Sequence, residues 1–347
     1  MSEEREQLRE ALTRRLVGES DDGRTWAALR DMGVLGLRIP ETLGGLGLSV
    51  SEVEPVFDVI GEHRLPVGYL DTAVIAAGLL QVDRSPAADD LLRAIATDGA
   101  RVAVAGIDRR LRGAVSATPT ATGWRLDGDA KLVIGSAEAA WIIVAARTEW
   151  YATALLLVAA GTAGMTSHDY ATIDGRSASD LRFIGAEATL LTPDAHEALT
   201  TANDEAIACL SVEAAALMRR LVADTVSYAK TREQFGQPIA GFQVVQHRLV
   251  DMHIQARRAG AIARRAMAAI DGRWLERGRL ASAAKATAAQ AGRFVGQQAV
   301  QLHGGMGMTE DLPIGRYFKR LTAIETELGG LDEHRQRFAK LTIEEAA

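Results

Sequence analysis

Apolar side chains recur along the first hundred residues at the spacing of a helix face. Trp26, Leu29, Met32 and Leu35 fall three residues apart and predict an early helix. Val53 to Gly61, Ala73 to Leu80 and Ala87 to Ile95 repeat the pattern. The glycine run at residues 44, 45 and 47 and several polar or proline-bearing stretches separate them. Between about residues 100 and 198 the period changes. Val102–Ala105, Trp124–Asp127, Trp141–Ala146 and Tyr151–Val158 read as strands, with Gly128 as a turn and weaker strands near Leu181–Phe183 and Ala188–Leu191. From Ala202 helical spacing returns in three long runs, to about Thr231, from Phe242 to about Ile270, and from Leu280 to His303. The expected fold is α+β: a helical domain over 1–99, a small β domain over 100–198 and a four-helix-type bundle over 199–347. Alanine on the bundle's inner faces lets the axes approach closely.

Composition narrows the function. A chain of 347 residues, 48% hydrophobic and with a formal charge of −6, has room for a large core and no basic surplus for nucleic acid. The one cysteine, Cys209, lies in an apolar helix and reads as a small buried hydrophobe, with no disulfide or cysteine metal site available. The amino-terminal residues are charged without an apolar leader, and no uninterrupted apolar run reaches membrane length. The expected setting is cytoplasmic.

Chemistry concentrates in two stretches. In Tyr228 to Met252 (YAKTREQFGQPIAGFQVVQHRLVDM) one helix closes at Arg232 and Glu233, a Gly/Pro turn follows, and a second amphipathic helix starts at Phe242. Taken alone, this also fits an ordinary helix–turn–helix corner with an incidental arginine. The second stretch, Gln301 to Met308 (QLHGGMGM), ends another long helix. A pyrophosphate needs guanidinium groups or open backbone amides, and these segments offer both. His303 and His247 sit on helices without the carboxylate spacing of a metal site, so no metal is expected.

In order and separation, these two stretches resemble motifs in the carboxyl-terminal domain of the acyl-CoA dehydrogenase family. The resemblance covers nearly the whole chain, and Leu37 to Glu41 (LRIPE) before the glycine loop resembles the family's amino-terminal pattern. It implies an FAD shared with a neighbouring subunit. Arg232 and Phe235 would contact its pyrophosphate and adenine side, and Gln301 and Gly305, next to Gly304, its adenosine portion. Gln243 is a further candidate on the same surface.

The chain departs from that family on the flavin side. The usual segment T-E-P-x-A-G-S-D is replaced by Val104 to Gly113 (VAGIDRRLRG). The usual K-x-W-I-T-N reads Lys131 to Ser136 (KLVIGS), putting Val133 where the family has a flavin-facing tryptophan and Gly135 where it has a threonine. The general base is also missing from the family's usual places. Leu328 stands before Gly329, with Glu327 one residue away, and the alternative position is Ala206, with Glu205 beside it. Desaturation beside a thioester carbonyl calls for such a carboxylate in an apolar pocket.

Two readings follow. In one, the chain is the partner subunit of a heteromeric acyl-CoA dehydrogenase, two copies of each of two homologous chains. The sister chain then supplies the flavin cleft and base, and electrons leave to an electron-transfer flavoprotein-type acceptor. The carboxyl-terminal run from Tyr317 to Ile324 resembles the small subunit of such enzymes, which act on CoA esters of steroid or bile-acid side chains or of dicarboxylic acids. In the other, the chain is a homo-oligomer using Glu205 or Glu327 as base, or a non-catalytic binding or structural homologue.

Overall fold

The computed structural model describes residues 3–19, 21–83, 85–108, 115–121, 123–308 and 313–346. Its helices begin with α1 (Glu3–Leu16), α2 (Asp22–Asp31) and α3 (Glu54–His63). A π-helical stretch Leu70–Ala76 runs into α4 (Ala77–Asp83), and α5 (Pro86–Asp98) follows. α2 is shorter than the apolar spacing predicts. Gly33 turns left-handed at φ 71° and moves Leu35 into a 3-10 turn. Ser85 caps α5 through Ala88 N at 3.2 Å, with Pro86 pre-set for the first turn.

Seven strands follow: β1 (Val102–Ala105), β2 (Val115–Pro119), β3 (Trp124–Ile134), β4 (Trp141–Ala146), β5 (Ala154–Ala159), β6 (Met165–Ala171) and β7 (Ser177–Thr192). Their order is β1-β4-β5-β7-β3-β2, with β6 also paired to β7; β1 and β4 are parallel and the other pairs antiparallel. β7 is the spine, and it merges the two short strands expected near 181 and 188 into one of 16 residues. β3 likewise runs on through Gly128, where a turn is expected. Bulges after Leu126 and Ala130 absorb the irregular backbone instead, one of them containing Leu132 at φ 53°. β2 and β6 have no counterpart in the expected set. Their sequences, VSATP and MTSHDYA, are too polar for the hydrophobic pattern to reveal. The inner faces of the sheet close on a core of Val133, Ile142, Leu156, Leu181 and Phe183.

The remaining elements are α6 (His196–Thr231), β8 (Glu233–Gln234), β9 (Gln237–Pro238), α7 (Gln243–Asp271), α8 (Arg277–His303), α9 (Ile314–Thr326) and α10 (Leu331–Ala346). The chain is thus helical, then sheet, then helix bundle. It gathers into two compact units: residues 1–18, 54–65 and 207–347 form one, residues 19–53 and 66–206 the other. In the first unit small residues set the helix spacing. A Cβ on Gly61 of α3 would lie 2.5 Å from the Glu213 carbonyl of α6, and one on Gly296 of α8 would lie 2.7 Å from the Phe318 ring of α9. Cys209 is buried in α6. Among the described residues no helix is long and apolar enough to cross a membrane.

Candidate functional site

α6 ends at Thr231 and the chain reverses at once. β8 and β9 pair Glu233 with Pro238 and Gln234 with Gln237 around Phe235 and Gly236. Both turn residues have positive φ, 54° and 80°, as a two-residue type I′ hairpin requires. Gly236 adopts this freely and Phe235 at a steric cost. The turn throws the phenyl ring outward, 92% exposed, edge-on to Phe242 at 6.1 Å. The Arg232 backbone is fixed by bonds to the Tyr228 carbonyl and from Ile239 N, each 2.8 Å. Its guanidinium is exposed and pairs with no described carboxylate. Gln243, exposed, opens α7.

Tyr228 stacks on His303 at 4.2 Å and so joins the end of α6 to the end of α8. His303 is buried with Nδ1 2.8 Å from the Ala299 carbonyl, and burial pushes its titration below the ordinary imidazole range. Its surroundings are those of a helix-end packing residue; His247 lies exposed on α7. The carbonyl of Gln301 accepts the Gly304 amide, and Gly304 then takes φ 60° and ψ −141°, accessible in practice to glycine alone. A Cβ on Gly304 or Gly305 would meet nothing within 4 Å. The hairpin and the α8 end therefore offer a free guanidinium, an exposed aromatic ring and unshielded backbone. That donor set fits the phosphates and planar base of a dinucleotide.

The second unit contains a cavity of about 300 Å³ whose lining includes Asp22, Arg101, Gly135, Glu138, Arg176 and Ser177. Arg101 donates to the Asp22 carboxylate and lies over the Trp26 ring at 4.6 Å. Burial raises the Asp22 carboxyl and outweighs the opposing effect of Arg101. Arg176 is held by Asp174 at 2.9 Å. Gly135 reaches this cavity with backbone only, its amide donating to the Ser177 carbonyl at 3.0 Å. Val133 belongs to the β core. Of the altered loop from Val104, residues 109–113 lie outside the described residues.

Both carboxylates considered as bases are held by arginines. Glu205 accepts from Arg38 at 2.7 Å, while Arg38 also donates to the Val74 carbonyl at 3.0 Å. The pair sits in a cavity of about 480 Å³ that Asp194 and Glu197 also line. Ala206 is buried. Glu327 accepts from Arg320 at 2.9 Å, and the same guanidinium grips Glu213 at 2.6 and 2.8 Å. Leu328 follows at φ 57°, buried. Lys285, fully buried, donates to the carbonyls of Gly329 at 2.7 Å and Glu325 at 3.2 Å. Arg38, Glu213, Arg320 and Lys285 escape a motif reading. The one visible signal is a lone charge on an apolar helix face, as with Glu213 and Lys285, since such groups are buried only when paired or hydrogen-bonded.

The family model described as "Acyl-CoA dehydrogenase, C-terminal domain" matches residues 197–340. The chain is 32% identical over 341 residues to acyl-CoA dehydrogenase FadE27 of Mycobacterium tuberculosis, covering 94% of this chain and 90% of that one. It is 27% identical to acyl-CoA dehydrogenase IpdE2 of Mycolicibacterium smegmatis, covering 97% and 98%. Among solved structures it resembles a variant of the Tcur3481-Tcur3483 steroid ACAD, at 30% identity and TM-score 0.85 over 97% of this chain and 93% of that one. It also resembles the ChsE4-ChsE5 complex from Mycobacterium tuberculosis, at 27% identity and TM-score 0.90 over 99% and 98%.

Proposed function

The chain belongs to the acyl-CoA dehydrogenase family, and we propose that within it the protein serves as one subunit of a hetero-oligomeric, FAD-dependent enzyme that desaturates an acyl-CoA thioester between Cα and Cβ. The observation that carries this reading is an asymmetry. The groups suited to the ADP part of a flavin dinucleotide are free and exposed: Arg232, Phe235, Gln301 and the open glycines Gly304 and Gly305. The groups suited to the ring part are missing. Gly135 has no hydroxyl to offer, Val133 is spent in the β core, and Glu205 and Glu327 are each committed to an arginine.

Bound FAD supplies the hydride acceptor for this chemistry. This chain's part is to hold the cofactor's ADP end: Arg232 would supply a charge-assisted contact to phosphate, and the backbone at Gly304 and Gly305, bare of side chains, would let it approach closely. A homologous chain contributes the flavin cleft and the base. Such pairing gives one competent pocket per heterodimer, most simply in an α2β2 assembly whose subunits meet through the bundle over 199–347, with 1–99 and 100–198 as the other two domains. Electrons pass on to an electron-transfer flavoprotein-type acceptor. Likeness to a variant of a steroid ACAD favours a steroid or bile-acid side-chain thioester over a dicarboxylyl one.

The test is expression of the chain alone and together with a homologous acyl-CoA dehydrogenase subunit from the same source, followed by native mass, flavin content and acyl-CoA oxidation. Flavin and turnover are expected only in the mixed assembly. Full flavin loading and turnover by this chain alone would sink the reading and make Glu205 and Glu327 the first residues to replace.

A further inference from the structure

Tyr228 and His303 stand 75 residues apart in the chain, and each is built into one half of the surface assigned above to the ADP end. Tyr228 lies one helical turn before Arg232, and its carbonyl accepts the Arg232 amide at 2.8 Å. His303 is the last residue of α8 and leads directly into Gly304. The backbone that fixes the arginine is therefore that of Tyr228, and the backbone that leads into the glycine turn is that of His303.

The two side chains meet. Their rings stack at 4.2 Å with planes 26° apart. The Tyr228 hydroxyl lies 3.5 Å from the His303 carbonyl, the last one before Gly304. His303 is held in place on its own helix: it is 4% exposed, with Nδ1 2.8 Å from the Ala299 carbonyl. The turn beyond it folds back on the helix end, so that a Cβ on Gly307 would lie 2.9 Å from the Val300 carbonyl and 3.1 Å from the His303 Cβ. Burial keeps His303 below the ordinary imidazole range, against the opposing effects of the Ala299 carbonyl and the Asp224 charge, so the stacked ring is neutral at pH 7. Two rigid rings in face contact fix the spacing between the end of α6 and the end of α8. Flexible aliphatic side chains would leave that spacing free to vary. A ligand gripped from two segments needs such a fixed spacing, held to about 0.5 Å by side chains that are themselves locked.

We propose that the Tyr228–His303 stack is the positioning element of this surface. It sets the separation of Arg232 from the Gly304–Gly305 backbone, so that both act on one dinucleotide; neither ring itself touches the ligand. This rests on the FAD reading above and adds to it the residues that make the two halves act together.

The experiment is a double-mutant cycle read as FAD affinity, by fluorescence titration of the apo-assembly that this chain forms with a homologous acyl-CoA dehydrogenase subunit from the same source. Tyr228→Leu keeps an apolar side chain and removes one ring. His303→Asn removes the other and keeps an amide donor for the Ala299 carbonyl. Each is expected to weaken FAD binding about tenfold with Arg232 present, and by less than about twofold in the Arg232→Ala background, where one half of the grip is already gone. Tyr228→Phe retains the ring and should stay within about twofold of wild type. Circular dichroism and Tm confirm the fold of each variant, and should one ring replacement not fold, the other carries the same cycle from the facing side. The same loss in both Arg232 backgrounds overturns the positioning role, as does a loss in Tyr228→Phe equal to that in Tyr228→Leu. Unchanged affinity in Tyr228→Leu and His303→Asn, with Arg232→Ala still weakening FAD, also overturns it and leaves the cofactor reading standing. Unchanged affinity in Arg232→Ala, or an assembly that takes up no FAD, removes the cofactor reading and this proposal with it.

Discussion

Arg232 is the residue on which the cofactor proposal is most exposed to test, because among the described residues its guanidinium has no ion-pair or hydrogen-bond partner. Arg232→Ala removes one charge-assisted hydrogen-bonding group, about 1.5–3 kcal/mol, and is expected to weaken FAD binding to the assembled enzyme by about 10- to 100-fold with Tm barely changed. Fluorescence titration of the apo-assembly checks this; an unchanged affinity would count against the site. Glu205 and Glu327 make the opposite case. Each already has a fixed arginine partner, so Glu205→Gln and Glu327→Gln should leave turnover of the mixed assembly within about twofold if the base belongs to the other chain. A loss of several orders of magnitude in either variant would transfer the base to this chain. Arg320 is structural: Glu213, buried, and Glu327, half-buried, both grip it, and Arg320→Met takes from the buried Glu213 carboxylate its ion-pair partner. A loss of about 3–5 kcal/mol in chemical unfolding is expected.

At the scale of elements, the segment between α9 and α10 is held by side chains rather than by regular structure. Lys285 from α8 binds the Gly329 and Glu325 carbonyls, Glu333 accepts from the Gly330 amide at 2.7 Å, and His334 Nε2 lies 2.9 Å from the Leu328 carbonyl. That geometry makes Nε2–H the donor and leaves Nδ1 unprotonated and buried, with no hydrogen-bond partner among the described residues. Burial, reinforced by the charge of Lys285, pushes His334 down to about 4. The folded state therefore resists a proton that the unfolded state accepts near pH 6.5. The stabilising preference for neutral His334 is full above that value and is lost as pH falls from 6.5 toward 4, by up to about 3 kcal/mol. His334→Gln keeps a donor for Leu328 and should flatten the fall in unfolding free energy over that window. An equally steep fall in the variant would show that another group drives it.

The whole molecule joins elements that the hydrophobic pattern predicts to contacts that it does not. If the flavin is held across two chains, ligand linkage should appear only in the mixed assembly. FAD at about 100 times its Kd stabilises a binding-competent fold by about 2.7 kcal/mol, so its addition should raise the Tm of the assembly and leave that of the isolated chain nearly fixed. An equal rise for the chain alone would contradict a shared site. The helix–sheet–helix order, the long helices α6, α7 and α8, and the Arg232 and Gln301 stretches were legible because periodicity, turn chemistry and helix ends are local properties, set within a few residues. β2 and β6 were not legible, since Ser116, Thr118, Ser167 and Asp169 carry no apolar alternation and become strands by pairing with β3 and β7. The same limit hid the charges that matter inside. Arg38 meets Glu205 across 167 residues of chain and Arg320 meets Glu213 across 107, and no spacing rule reaches that far. Sequence by itself determined the helix–sheet–helix order, the long helices, the family likeness and the valine and glycine that stand at 133 and 135. Only the tertiary structure decided that Glu205 and Glu327 are tied to arginines and that Phe235 points into solvent. Those properties depend on which distant side chains a folded backbone brings within 3 Å and which it leaves outside.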